Sequence, residues 1–211
     1  MTYKAVIFDL DGTLVHSLPE HRYSVVGNAL KDLGKSASKE QIDMFWFETE
    51  RDKIVVETFG VTNEDFWPAY RKHDKTEVRK KFTKTYDDIE FIKELKEKGI
   101  KVGIVTGAPI HIANLEIGMI GEEQFDAIVI AHRHNGFTPK PDPHGLNECL
   151  NLLEVNKEEA VYVGNGDEDV QTARNAGVFD ILIDRGEYSF PNTKPSLTIK
   201  SLYDLKRFLE I

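Results

Sequence analysis

Ala5-Val6-Ile7-Phe8-Asp9-Leu10-Asp11-Gly12-Thr13 decides the fold. Four consecutive apolar residues run straight into acid, spacer, acid and glycine. A strand with one wet face would alternate, whereas an unbroken apolar run ending in a turn signal predicts a parallel strand covered on both faces. Residues at i and i+2 of an extended chain point to one side, so Asp9 and Asp11 are brought together where that strand ends. Gly12 permits a sharp exit from the strand.

Similar runs recur along the chain as Val102-Gly103-Ile104-Val105, Ala127-Ile128-Val129-Ile130, Ala160-Val161-Tyr162-Val163 and Ile181-Leu182-Ile183. Helical patterns separate them. Ile89, Ile92 and Leu95 repeat at helical spacing ahead of Gly99, a glycine suited to ending a helix. Leu146, Cys149, Leu150 and Leu153 form a second stripe, and Leu202, Leu205 and Leu209 a third. Strands alternating with helices predict an α/β domain built on a doubly wound, mainly parallel sheet.

One stretch breaks the alternation. From 15 to 83 the pattern is helical, with Val26, Leu30 and Leu33 and the aromatic clusters Met44-Phe45-Trp46-Phe47 and Phe66-Trp67. The expected organisation is therefore an α/β core at 1–14 and 84–211 with a helical insert at 15–83. The insert holds twelve basic and twelve acidic residues, so the whole net charge of −9 belongs to the core. Such an acidic chain argues against a nucleic-acid or anionic-membrane partner. No apolar run approaches the length that spans a bilayer, and the start of the sequence lacks the features of a signal peptide. With Cys149 as the single cysteine, the expected location is the reducing cytoplasm. Cys149 reads as a core residue.

Two carboxylates on one side of a strand end repel each other unless a cation neutralises them. Mg2+ suits the arrangement, because it takes a few hard oxygen ligands and leaves positions for water and phosphate. An ordinary Asp-Gly turn would use the same residues. Three later segments bear on the choice. Val105-Thr106-Gly107-Ala108-Pro109 puts a hydroxyl and free backbone N–H groups ahead of a predicted helix, an arrangement that binds phosphate and equally one that caps a helix. Pro139-Lys140-Pro141-Asp142-Pro143 holds a lysine in a restricted backbone. Gly164-Asn165-Gly166-Asp167-Glu168-Asp169 supplies oxygen ligands at the end of the fourth run, where ligands gather in open α/β sheets.

These four blocks, in this order and each at a strand end, resemble the haloacid dehalogenase-like hydrolase superfamily, specifically its phosphatase branch. The insert resembles that family's small helical cap, as in phosphoglycolate phosphatases. The resemblance implies a Mg2+-dependent phosphatase acting on a small phosphorylated metabolite. Asp9 would be the nucleophile that forms an aspartyl-phosphate, and Asp11 the acid that protonates the leaving alcohol and then activates water. Thr106, Gly107 and Lys140 would hold the phosphoryl oxygens. Asp9, the Asp11 carbonyl, Asn165 and Asp169 would hold the metal. The presence of Asp11 implies phosphoryl transfer from oxygen rather than dehalogenation, since a departing halide needs no proton.

The family's fourth block begins with aspartate where this chain has Asn165, which offers a carbonyl oxygen but no charge. The expectation is weaker metal binding, with Asp167 or Asp169 compensating. His16 lies close behind the first motif and is expected to meet substrate, His111 lies in the first turn after Thr106, and His132 and His134 read as surface or capping residues rather than metal ligands. A sugar phosphomutase would share every one of these residues, and a weakened, phospho-ligand-binding protein is the reading that Asn165 favours.

Overall fold

The computed structural model describes residues 3–211. Eight strands are present among them: β1 (Ala5–Phe8), β2 (Val15–Ser17), β3 (Thr83–Thr85), β4 (Lys101–Thr106), β5 (Ala127–Ile130), β6 (Ala160–Gly164), β7 (Phe179–Ile183) and β8 (Leu197–Ile199). The helices are α1 (Pro19–Asp32), α2 (Lys39–Phe47), α3 (Arg51–Glu57), α4 (Asn63–His73), α5 (Thr76–Phe82), α6 (Phe91–Glu97), α7 (Ile110–Ile120), α8 (His144–Leu153), α9 (Asp167–Ala176) and α10 (Leu205–Leu209).

Six strands form one parallel sheet in the order β5-β4-β1-β6-β7-β8. The first motif's strand is central: Phe8 is in register with Ile104 on one side and Val163 on the other. Its four residues are fully buried, as the unbroken apolar run requires. They divide by alternation, Val6 and Phe8 facing the layer that contains Phe91, Leu95, Ala113 and Leu205, while Ala5 and Ile7 face Leu146, Cys149 and Ala173. Each fully buried aliphatic side chain contributes about 1.5–3 kcal/mol, so the two layers together hold the sheet in place. Successive crossovers run from β1 to β4 and β5 on one side and to β6, β7 and β8 on the other. The ends of β1, β4 and β6 thereby meet where the strand order reverses.

The chain divides into two compact units, one made of the chain up to His16 with Thr85–Ile211, the other of Ser17–Lys84. The sequence expectation put these divisions at 14/15 and 83/84. The chain leaves and re-enters the α/β unit along β2 and β3, which form a separate two-stranded sheet that the apolar pattern did not reveal. Within the α/β unit the Tyr86 N–H donates to the Leu14 carbonyl at 3.1 Å, and within the helical unit the Leu18 N–H donates to the Phe82 carbonyl at 2.8 Å.

The helical unit has its own core of Val26, Leu30, Ile42, Phe45, Val55, Phe59 and Phe66. Ser38 begins α2 with a reciprocal capping box to Gln41, and Thr62 caps α4 through the Asp65 N–H. Beside this core lies a buried polar network. His21 Nε2 is 3.1 Å from Asp74, Arg79 lies 3.7 Å from the same carboxylate, and Tyr23 donates to Asp43 at 2.9 Å. Burial pushes the Asp74 carboxyl up, but His21 and Arg79 outweigh it and hold the group below the ordinary carboxylate value. Among the described residues no helix is long and apolar enough to cross a membrane.

Candidate active site

The turn after β1 is closed by the backbone: the Gly12 N–H donates to the Val15 carbonyl at 2.6 Å, and the Leu14 N–H to the Leu10 carbonyl at 2.9 Å. Gly12 has φ +86°, which L side chains rarely adopt. A Cβ there would come within 2.1 Å of Asn165 Nδ2. The first and fourth motifs are therefore packed directly on one another, and only the missing side chain of Gly12 leaves room for the amide of Asn165.

Asp9 is buried where β1 ends. Its Oδ1 accepts from Lys140 Nζ at 2.7 Å and its Oδ2 from Thr13 Oγ1 at 3.2 Å. Burial pushes its carboxyl up to about 7; the Lys140 ammonium opposes this and the Asp169 charge adds to it. Lys140 is itself buried and lies at a cis Lys140–Pro141 peptide bond. Burial alone would lower its affinity for a proton, yet Asp169 and Asp9 outweigh that and hold the ammonium well above the ordinary lysine value. Lys140 is thus a permanent cation between two carboxylates, at 2.7 Å from Asp9 and 2.8 Å from Asp169.

Asp169 is buried among donors from three segments of the chain. Sequence assigned it to the metal. In the structure its Oδ1 is engaged by Lys140 and by the Tyr162 hydroxyl at 3.2 Å, and its Oδ2 by the Gly166 N–H at 3.1 Å. Among the described residues no three His, Cys, Asp or Glu side chains form a group fit to hold a metal ion. The oxygens that the resemblance offers to a hard cation are mixed: the Asp9 carboxylate, the Asp11 carbonyl, Asp169 and the Asn165 carboxamide, which the bare Gly12 admits against the first motif. This donor set fits Mg2+, with one negative charge fewer than an all-aspartate site would have. Asp167 accepts from the Glu168 N–H at 2.9 Å in the first turn of α9.

Thr106 closes β4 in a buried position, its Oγ1 accepting from the Ala108 N–H at 3.1 Å, while Gly107 is exposed ahead of α7. His16 stacks on Tyr86 with ring centroids 4.5 Å apart and lies 3.3 Å from Glu187, so its ring is engaged within the α/β unit. His132 and His134 have ring centroids 4.9 Å apart in the loop after β5, and His111 is exposed on α7. Cys149 is buried between the sheet and α8, and burial pushes its thiol up to about 12, as befits an inert core residue.

Residues that sequence reasoning passed over complete the support. Arg185, just after β7, donates to the Thr13 carbonyl at 2.6 Å and to both oxygens of Asp88 at 2.7 and 3.0 Å, with its guanidinium 3.9 Å from the Tyr86 ring centroid. Asp88 also accepts from the Leu202 N–H at 2.8 Å and the Ser201 hydroxyl at 3.0 Å. The first motif is thereby anchored from behind to the C-terminal segment. The only sequence signal for this was an arginine following a buried strand.

The family model for haloacid dehalogenase-like hydrolases matches residues 6–183. The chain is 28% identical to the pyrophosphatase PpaX of Halalkalibacterium halodurans, the match covering 97% of this chain and 96% of that one. It is 24% identical to the phosphoglycolate phosphatase of Aquifex aeolicus, covering 98% and 97%. Its fold matches the crystal structure of a hydrolase from Pseudomonas syringae with a TM-score of 0.78 at 18% identity, over 100% of this chain and 98% of that one. The first, second and fourth motifs lie at the ends of β1, β4 and β6, whereas Lys140 lies in the loop ahead of α8 rather than at a strand end; with a match running through all four, the chain belongs to the haloacid dehalogenase-like hydrolase family.

Proposed function

We propose that this protein is a phosphatase that removes a phosphoryl group from a small phosphorylated metabolite, with Asp9 as the nucleophile. The observation that carries the reading is the buried Asp9 carboxylate held by Lys140 at 2.7 Å and by Thr13 at 3.2 Å. A carboxylate oriented by two donors is presented for attack, and the ammonium favours its ionised form. An oxygen of Asp9 attacks phosphorus, the bond from phosphorus to the leaving oxygen breaks, and Asp11 protonates that oxygen. Asp11, now a carboxylate, takes a proton from water, whose oxygen attacks the same phosphorus; phosphate leaves and Asp9 is regenerated. Thr106, the Gly107 N–H and Lys140 hold the transferring oxygens. Mg2+ held by Asp9, the Asp11 carbonyl and Asn165 would neutralise charge on the phosphoryl group.

The helical unit is read as the family's cap, selecting the leaving group, and a cytoplasmic setting fits the single, buried cysteine. The relatives named for pyrophosphate and phosphoglycolate support small, anionic substrates over phosphoproteins or nucleic acid. The test is a phosphate-release screen with Mg2+ over pyrophosphate, 2-phosphoglycolate and a panel of sugar phosphates, run beside Asp9→Asn. Release by the wild-type chain and none by the variant is expected. Equal release by both sinks the assignment of Asp9. Isomerised sugar phosphate without free phosphate identifies a mutase, and phosphate binding without turnover in excess Mg2+ or Mn2+ identifies a weakened site.

A further inference from the structure

Strand β6 alternates its side chains between the two layers. Val161 and Val163 face one, while Ala160 and Tyr162 face the other among Ile7, Val105, Leu146 and Cys149. A phenylalanine would fill that apolar place as well as a tyrosine. Tyr162 is 1% exposed, so its hydroxyl is cut off from water and must find partners within the protein. It lies 3.2 Å from Asp169 Oδ1 and 3.1 Å from the carbonyl of Val105, the residue that precedes Thr106. Lys140 Nζ sits 5.4 Å from the centroid of its ring. The hydroxyl thus stands where the carboxylate that grips the lysine meets the strand that presents the threonine.

We propose that Tyr162 is a positioning residue for phosphoryl transfer: its hydroxyl fixes the Asp169 carboxylate in the orientation that aims the Lys140 ammonium at Asp9. The role rests on the reading of Asp9 as nucleophile. Asp169 Oδ1 receives both Lys140 and Tyr162, so its rotation is restrained from two directions. Removal of the hydroxyl leaves Lys140, among the described residues, as the only side-chain donor to that oxygen, so the carboxylate keeps one restraint fewer on its rotation and the ammonium it grips is held less firmly. Small displacements of groups that hold a transferring phosphoryl cost rate far more than they cost stability.

The test is Tyr162→Phe, which keeps the ring. In its crystal structure at least one of the two Lys140 contacts, to Asp9 or to Asp169, is expected to lengthen beyond hydrogen-bond reach; retention of both overturns the proposal. In turnover, kcat is expected to fall about tenfold with KM changed less than about twofold and a melting temperature within a few degrees of wild type. An unchanged kcat, or a loss explained by a smaller folded fraction, overturns it. If the wild-type chain releases phosphate from no compound, the functional reading fails on its own, and the Lys140 geometry in the variant still decides the role of Tyr162.

Discussion

The ammonium of Lys140 lies 2.7 Å from Asp9 Oδ1 across a sequence separation of 131 residues, and both groups are buried. One proline-flanked loop therefore supplies the counter-charge that lets the end of the central strand carry a largely buried carboxylate. Breaking a buried pair by removing one partner strands the other charge, at a cost well above the value of the pair itself.

Lys140→Met leaves Asp9 and Asp169 facing each other without a cation. Urea unfolding at neutral pH is expected to show a loss of about 3–5 kcal/mol. Adding Asp169→Asn should recover part of it by removing the like charge. A single variant within about 0.5 kcal/mol of wild type would mean the ion pair contributes nothing net.

Asn165→Asp adds the charge that the mixed oxygen set lacks. Titration calorimetry with Mg2+ alone is expected to show several-fold tighter binding. Unchanged affinity would remove Asn165 from the metal's ligands.

Gly12→Ala meets two obstacles, a φ of +86° and a Cβ position 2.1 Å from Asn165 Nδ2. The expected outcome is a loss of more than about 1 kcal/mol in denaturant unfolding, with weaker Mg2+ binding as the Asn165 amide is displaced. A variant as stable as wild type would show that the turn can reshape around a methyl group.

Asp88 contributes to the acid response of the α/β unit. Burial pushes its carboxyl up, but the Arg185 guanidinium, the Leu202 N–H and Ser201 outweigh this and hold it below the ordinary value. A carboxyl depressed in the folded state contributes fully above its unfolded value near 3.9 and loses that contribution as pH falls through the folded value. Asp88→Asn is therefore expected to lower the urea midpoint at pH 7 and to lose that deficit at acid pH, once pH has fallen through the depressed folded value. An equal deficit at both pH values would assign the effect to lost packing rather than charge.

Much of the α/β unit was legible because its physics is local. Five strands covered on both faces announce themselves as unbroken apolar runs, and the strand ends marked by Asp9, Thr106 and Asn165 follow from those runs. The short strands β2, β3 and β8 lack such runs and owe their form to pairing with distant partners. The same limit applies to the site. Asp169 reads as a ligand in its motif, but its pairing with Lys140 depends on a loop 29 residues earlier in the chain. Tyr162 was hidden for the opposite reason: within an apolar strand, its hydroxyl looks like an incidental part of the core. Arg185 and Asp88 meet across 97 residues and leave no periodic trace.

The backbone closures at Leu14–Tyr86 and Leu18–Phe82 make the helical unit a cassette. Its two ends meet, so the α/β sheet needs only a tight turn between β2 and β3 to be a continuous chain without it. On the proposed reading of this unit as a cap, grafting a different cassette at these two points is expected to change leaving-group preference, while the carboxylates, the lysine and the strand that carries them keep their registry.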